Sequence, residues 1–173
     1  LIWAWALIPE KFRSPTIQWM LSKTLYQHAL HIESNLDYYP NLTNNHYLSD
    51  IVGLMYIGFT CPEFPESPRW IAFCLQELIK EMKGTVYSDG VSYEASNSYH
   101  CLVTELFLHG TFLATRLTSS NREAVSRCCI EKHTVLPKLA SQEQWEFQLD
   151  KRNILPKWYL DRLYDMVGYI AIL

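Results

Sequence analysis

The stretch that decides the fold is Asn44–Thr60, NNHYLSDIVGLMYIGFT. From about His46, the apolar residues Leu48, Ile51, Val52, Met55 and Phe59 return to one face at helical spacing. A Tyr-Tyr-Pro turn precedes this helix, and the proline-rich CPEFPESP at 61–68 ends it. The same punctuation recurs on either side. Upstream, Ser14-Pro15 is an N-cap followed by proline at the first helical position, and Ile17, Met20, Leu21, Leu25 and Ile32 follow at helical spacing. Downstream, Ser67-Pro68 repeats that start, with a buried stripe predicted at Ile71, Cys74, Leu75, Leu78 and Met82. Gly84 stands where a left-handed C-terminal residue belongs.

An irregular segment, TVYSDGVSYEASNS (85–98), contains an Asp89-Gly90 turn. A fourth helix runs through Leu102, Leu106, Leu113 and Leu117 and stops at TSSN (118–121). Residues 121–150 read as a helix, a break at Pro137 and another short piece. Pro156 opens a last helix through Leu160, Leu163, Met166, Val167 and Ile170. No strand pattern competes, so the expected fold is all-α, an array of helical hairpins over a single domain, residues 1–173. The absence of a fixed repeat argues against a simple solenoid. In a toroid of paired helices, the helix N-termini and their loops would face a central cleft.

Composition narrows the function classes. The 173 residues are 49% hydrophobic and 14% aromatic, ample for a packed core. A formal net charge of −3 argues against nucleic-acid binding, which needs a basic surface. Five cysteines, at 61, 74, 101, 128 and 129, are odd in number and contain no Cys-x-x-Cys; buried free thiols are expected, with Cys74 and Cys101 on apolar helix faces. His28 and His31 share a helix without a third ligand, so neither metal nor cofactor is expected. The opening LIWAWALIP is too short to span a bilayer and lacks signal-peptide flanks. Asn-Leu-Thr at 41–43 fits a glycosylation sequon.

Two polar stretches stand at helix starts: Asn44-Asn45-His46, and DGVSYEASNSYH at 89–100. Together they supply two amides, an imidazole, the Glu94 carboxylate and the Tyr99 phenol. By itself the first reads as a helix cap, for which one Asn suffices. Glu94 alone reads as a loop brace, Tyr99 as one of 11 tyrosines, and His100 and His109 as helix-face residues.

In order and spacing, Asn44-Asn45-His46, the Trp-containing helix PRWIAFCLQELIKEM (68–82) and Asp89-Gly90, Glu94, Ser96, Tyr99-His100 resemble the catalytic N-terminal region of the heparinase II and heparinase III families of polysaccharide lyases. LIWAWAL at the start is similar to the helix that family members carry upstream, and the resemblance covers about residues 1–117.

The resemblance implies part of an (α/α) toroid and β-elimination at a uronic-acid residue of an acidic polysaccharide. Removing the C5 proton builds charge on the uronate carboxylate, which hydrogen-bond donors there stabilise. It implies that Asn45 and a donating His46 supply these donors. Tyr99 would be general base, general acid to the leaving glycosidic oxygen, or both. A phenol with a reference pKa of ~10 needs nearby positive charge or donors for that work. Asn44, Glu94 and His100 are expected on the substrate side or bracing the loop. Family members also carry a further histidine later in the catalytic domain and a C-terminal β-sandwich. The chain ends before either, so an incomplete toroid is expected, a fragment or truncated product with limited activity alone; His133 is a weak substitute.

Two other readings are open. One is a non-catalytic glycan-binding or interaction module, with Trp19, Trp70 or Tyr93 stacking on sugars. The other is a hydrolase using Asp89 and Glu94 as paired carboxylates. The resemblance implies a periplasmic or secreted location, whereas unpaired cysteines and the lack of a visible signal peptide suit the cytoplasm.

Overall fold

A computed structural model describes residues 1–39, 44–128 and 154–172. The helix, break and short piece read over 121–150 lie largely outside these residues. So do the sequon at 41–43, Cys129 and His133.

The described chain is all-α. Its helices are α1 (Ile2–Leu7), α2 (Pro15–Ser34), α3 (Asn45–Thr60), α4 (Ser67–Thr85), α5 (Asn97–Thr115), α6 (Ser119–Cys128) and α7 (Lys157–Ile170), with a single 3₁₀ turn at Glu10–Phe12. The only β feature among the described residues is an isolated antiparallel bridge, Val86 to Ser92.

α3 packs on α4 and α5, α2 on α3, α6 on α4, and α7 on α5 and α4. Asn45 contacts Glu94, three residues before α5, and Tyr56 contacts His109 within it. Contacts at both levels set α3 and α5 side by side and parallel, with α4 returning between them. This is the hairpin array of part of an (α/α) toroid. It brings the N-termini of α3 and α5 to one rim.

α4 carries the core. Trp70, Phe73, Leu75, Leu78 and Met82 are completely enclosed. Gly110 of α5 lets the two helices close, because a Cβ there would come within 2.9 Å of both Leu78 methyl carbons. Polar anchors cross the apolar packing. Trp70 Nε1 donates to Glu33 at 2.8 Å, beside the Arg69 guanidinium on the same carboxylate. Tyr47 donates to Glu77 at 2.6 Å, and Lys80 donates to that carboxylate's other oxygen at 2.8 Å. Burial pushes the Tyr47 phenol far above its usual range, so it stays a donor. Paired in this way, buried carboxylates avoid the desolvation penalty of a lone charge.

The helical spacing read over α2 holds, and of those residues Leu25 is fully buried while Ile17 and Met20 are 49% and 57% exposed. Several sequence expectations need correction. Ser67 does not cap α4: its hydroxyl donates to the Cys61 carbonyl at 2.6 Å, tying the helix to the preceding loop. Gly84 is not a left-handed terminator. α4 runs on to Thr85, whose hydroxyl bonds the Glu81 carbonyl, and Val86 leaves in extended conformation to meet Ser92. The fourth helix does stop before TSSN, at Thr115, and Thr118 then accepts from Asn121 N at 3.2 Å at the start of α6. Cys101 faces solvent, while Cys61 and Cys74 are buried free thiols as expected.

Candidate active site

The N-terminus of α3 leaves several backbone N–H groups without a helical partner. Asn44, in extended conformation, accepts from His46 N at 3.0 Å and Tyr47 N at 3.3 Å. Asn45 N is taken by a residue from elsewhere, Glu94, at 3.2 Å. The negative Glu94 thus lies at the positive end of the helix dipole. With the cap completed by Asn44 and Glu94, the Asn45 side chain is not needed for it.

The Asn45 amide turns to Glu94 as well, with Nδ2 3.1 Å from Oε1 and 3.2 Å from Oε2. An amide nitrogen has two N–H bonds. The two oxygens of one carboxylate subtend far less than the angle between those bonds. One N–H is therefore shared by both oxygens, and the other has no partner among the described residues.

Glu94 reaches this place through a tight hairpin. Gly90 N donates to Tyr87 O at 3.0 Å, Val91 N to Asp89 Oδ1 at 3.1 Å, and Tyr93 N to Thr85 O at 3.0 Å. Gly90 has φ +85, and a Cβ on it would come within 2.7 Å of the α7 backbone at Asp165 and Met166. No other residue could make that approach. Just after Glu94, Ala95 adopts a left-handed φ of 51, turning the chain into α5.

Asp89 is spent on its own turn, in the arrangement of an Asx-turn. Glu94 is committed to Asn45, so neither stands ready as one of a hydrolase's paired carboxylates. Tyr99, in the first turn of α5, is 49% exposed and has no hydrogen-bond partner among the described residues. His46 is exposed, its side chain 71% open, with Nδ1 4.0 Å from Asp37 Oδ2. His100 is turned away from the rim and 2% exposed. Its Nδ1 accepts from Ser92 N at 3.3 Å, and Nε2 lies 3.1 Å from the Met166 carbonyl. That pairing places the proton on Nε2 and uses both ring nitrogens. The residue expected on the substrate side instead joins the hairpin to α7.

Beside the Asn45–Glu94 contact is a narrow crevice of about 10 Å³, bounded by Thr85, Ser92 and Val103. That is room for about one water and far below the ~300–1,000 Å³ of small-molecule pockets. Among the described residues no group of three or more His, Cys, Asp or Glu could hold a metal, and no helix is long and apolar enough to cross a membrane. Of the proposed stacking residues, Trp70 is buried in the core, Tyr93 is half-buried, and Trp19 is open with Lys23 over its ring.

The family model described as Heparinase II/III N-terminus matches residues 10–126, from the 3₁₀ turn into α6, and so takes in both halves of the rim. The chain belongs to this family. A heparin-sulfate lyase of Pedobacter heparinus is 36% identical over 73 residues, 42% of this chain and 11% of that protein. A heparin-sulfate lyase of Bacteroides stercoris is 30% identical over 82 residues, 47% of this chain and 12% of its own length. The matched part is thus a small fraction of each relative. No solved structure gives a significant match.

Sequence reasoning missed Asp37 and Asp50. Asp50 Oδ2 accepts from Asp37 N at 2.8 Å and so holds the turn that carries Asp37 to His46. The one available signal was the four-residue spacing of His46 and Asp50 on α3, which puts them on one face.

Proposed function

We propose that the protein is a polysaccharide lyase, or the N-terminal part of one, that cleaves a uronic-acid-containing acidic polysaccharide by β-elimination. The observation that carries this reading is the junction of Asn45 and Glu94, which sets the amide beside His46 at the same rim as Tyr99. The family membership and the heparin-sulfate lyase relatives support the same class of substrate.

In this reading the free N–H of Asn45, together with His46, donates to the uronate carboxylate. Charge that develops there as the C5 proton leaves is stabilised by donors already in place. Tyr99 takes the C5 proton and returns a proton to the glycosidic oxygen as the C4–O bond breaks and the C4–C5 double bond forms. Glu94 holds the Asn45 amide in plane. His100 acts one layer back, fixing the loop that carries Glu94. Heparan sulfate, alginate and bacterial exopolysaccharides all present the required uronate.

The test is turnover of uronate polymers by wild type and by Tyr99→Phe and Asn45→Ala. Both variants should lose the unsaturated product by about a hundredfold or more, the range for removal of a proton-transfer group or an oxyanion donor. A Tyr99→Phe variant as active as wild type would refute the assignment.

A further inference from the structure

Three contacts place an acidic side chain beside His46. Tyr38 N donates to Leu36 O at 2.8 Å, closing a three-residue turn centred on Asp37. Asp50 Oδ2 accepts the Asp37 N–H at 2.8 Å, fixing the turn against α3. The Tyr38 ring lies 5.1 Å from that of Tyr47, the residue after His46. Held in this way, the Asp37 carboxylate stands 4.0 Å from His46 Nδ1. This is ion-pair distance and longer than a hydrogen bond, in keeping with the loose contacts of active sites before substrate arrives. Asp50 adds a second negative group on the same face, and His31 is the other ring near Asp50.

We propose that Asp37 is a positioning residue that keeps a hydrogen on His46 Nδ1, held there by its turn and by Asp50. The inference rests on the lyase reading for its purpose. A bare Nδ1 lone pair facing a carboxylate is repulsive, so Asp37 penalises the neutral form protonated only at Nε2. With the hydrogen held on Nδ1, Nε2 is the nitrogen left for the substrate, and it donates to a uronate carboxylate once a proton from solvent has bound there. Asp37 so fixes the orientation of the ring and which of its nitrogens meets the uronate. Asp50 acts through the backbone of Asp37, as a support for the turn.

The test uses the 173-residue chain and two readouts. Two-bond ¹H–¹⁵N correlation of the neutral imidazoles should show His46 with its hydrogen on Nδ1 in wild type and on Nε2 in Asp37→Ala, while the buried His100 keeps its form in both. A wild-type His46 protonated on Nε2, or a tautomer that Asp37→Ala leaves unchanged, would overturn the inference whatever the activity. In turnover of a uronate polymer, Asp37→Ala should lower kcat about tenfold or more with KM within about twofold, and Asp37→Glu should restore most of the loss; a buried orienting carboxylate is worth far more, ~10⁴. Unchanged kcat in Asp37→Ala would also overturn it. No unsaturated product from wild type, with the Nδ1 tautomer observed, would refute the lyase reading and leave the Asp37–His46 relationship standing.

Discussion

Asn45 and Glu94 are 49 positions apart in the chain and joined through both the backbone N–H and the side-chain amide of Asn45. The same contact caps α3 and orients the amide, so stability and site geometry are coupled there. Glu94→Ala should destabilise the fold by about 1–3 kcal/mol, the combined scale of a lost cap and a charge-assisted hydrogen bond. Glu94→Gln should cost less, since an amide oxygen can still accept. Asn45→Asp should be worse than Asn45→Ala, because it sets two carboxylates against each other. Urea denaturation of the four variants gives the order directly.

His100 tests whether its work is structural. His100→Phe keeps a ring against Tyr169, whose centroid is 4.8 Å away, but leaves the buried Ser92 N–H without its acceptor and removes the side-chain bond to the Met166 carbonyl. A loss of about 1–3 kcal/mol per unsatisfied group is expected by chemical denaturation. A variant as stable as wild type would show that the hairpin and α7 are held by other means.

Two glycines give a contrast. Gly90→Ala puts a Cβ within 2.7 Å of the α7 backbone, in a left-handed conformation as well, and should cost about 2 kcal/mol or more. At Gly84 nothing lies within 4 Å and the backbone is helical, so Gly84→Ala should stabilise by about 0.5–1 kcal/mol. Thermal unfolding of the pair should shift in opposite directions.

The thiols should differ in reactivity with pH. Burial pushes the Cys61 thiol up to about 11 and the fully enclosed Cys74 well above its ordinary value, so neither forms appreciable thiolate near neutrality. Cys101 is exposed and should be alkylated ahead of Cys61 and Cys74 at pH ~8. Cys61 should follow only as the pH rises toward about 11 or the chain unfolds. Peptide mapping after timed iodoacetamide treatment checks the order.

These outcomes reflect which features were legible in the sequence. Helix positions followed from periodicity and from Ser14-Pro15, because a side-chain cap and a fixed φ act locally; Ser14 does accept from Ile17 N at 3.3 Å. The Asn44 cap was legible from the local residues, and the meeting of residues 44–46 with residues 89–100 from the family resemblance. Periodicity, however, says which residues share a face and not whether a partner covers it, so Cys101 was read as inward and stands outward, and Ile17 and Met20 keep helical spacing on an exposed face. Gly84 and Ser67 failed for another reason. Each obeyed a local rule that a tertiary contact overrode, at Val86–Ser92 and at the Cys61 carbonyl. His100 and Asp37 owe their roles to neighbours distant in sequence, Met166 and His46.

The central claim, elimination at a uronate, is tested most directly by the product itself. Incubation of the protein with a panel of uronate polymers should generate chain ends bearing a 4,5-unsaturated uronate, seen by their ultraviolet absorbance and by mass spectrometry at the mass of the intact residue less water. New reducing ends without unsaturation would mean hydrolysis, and no cleavage across the panel would leave only a binding module; either result would contradict the account.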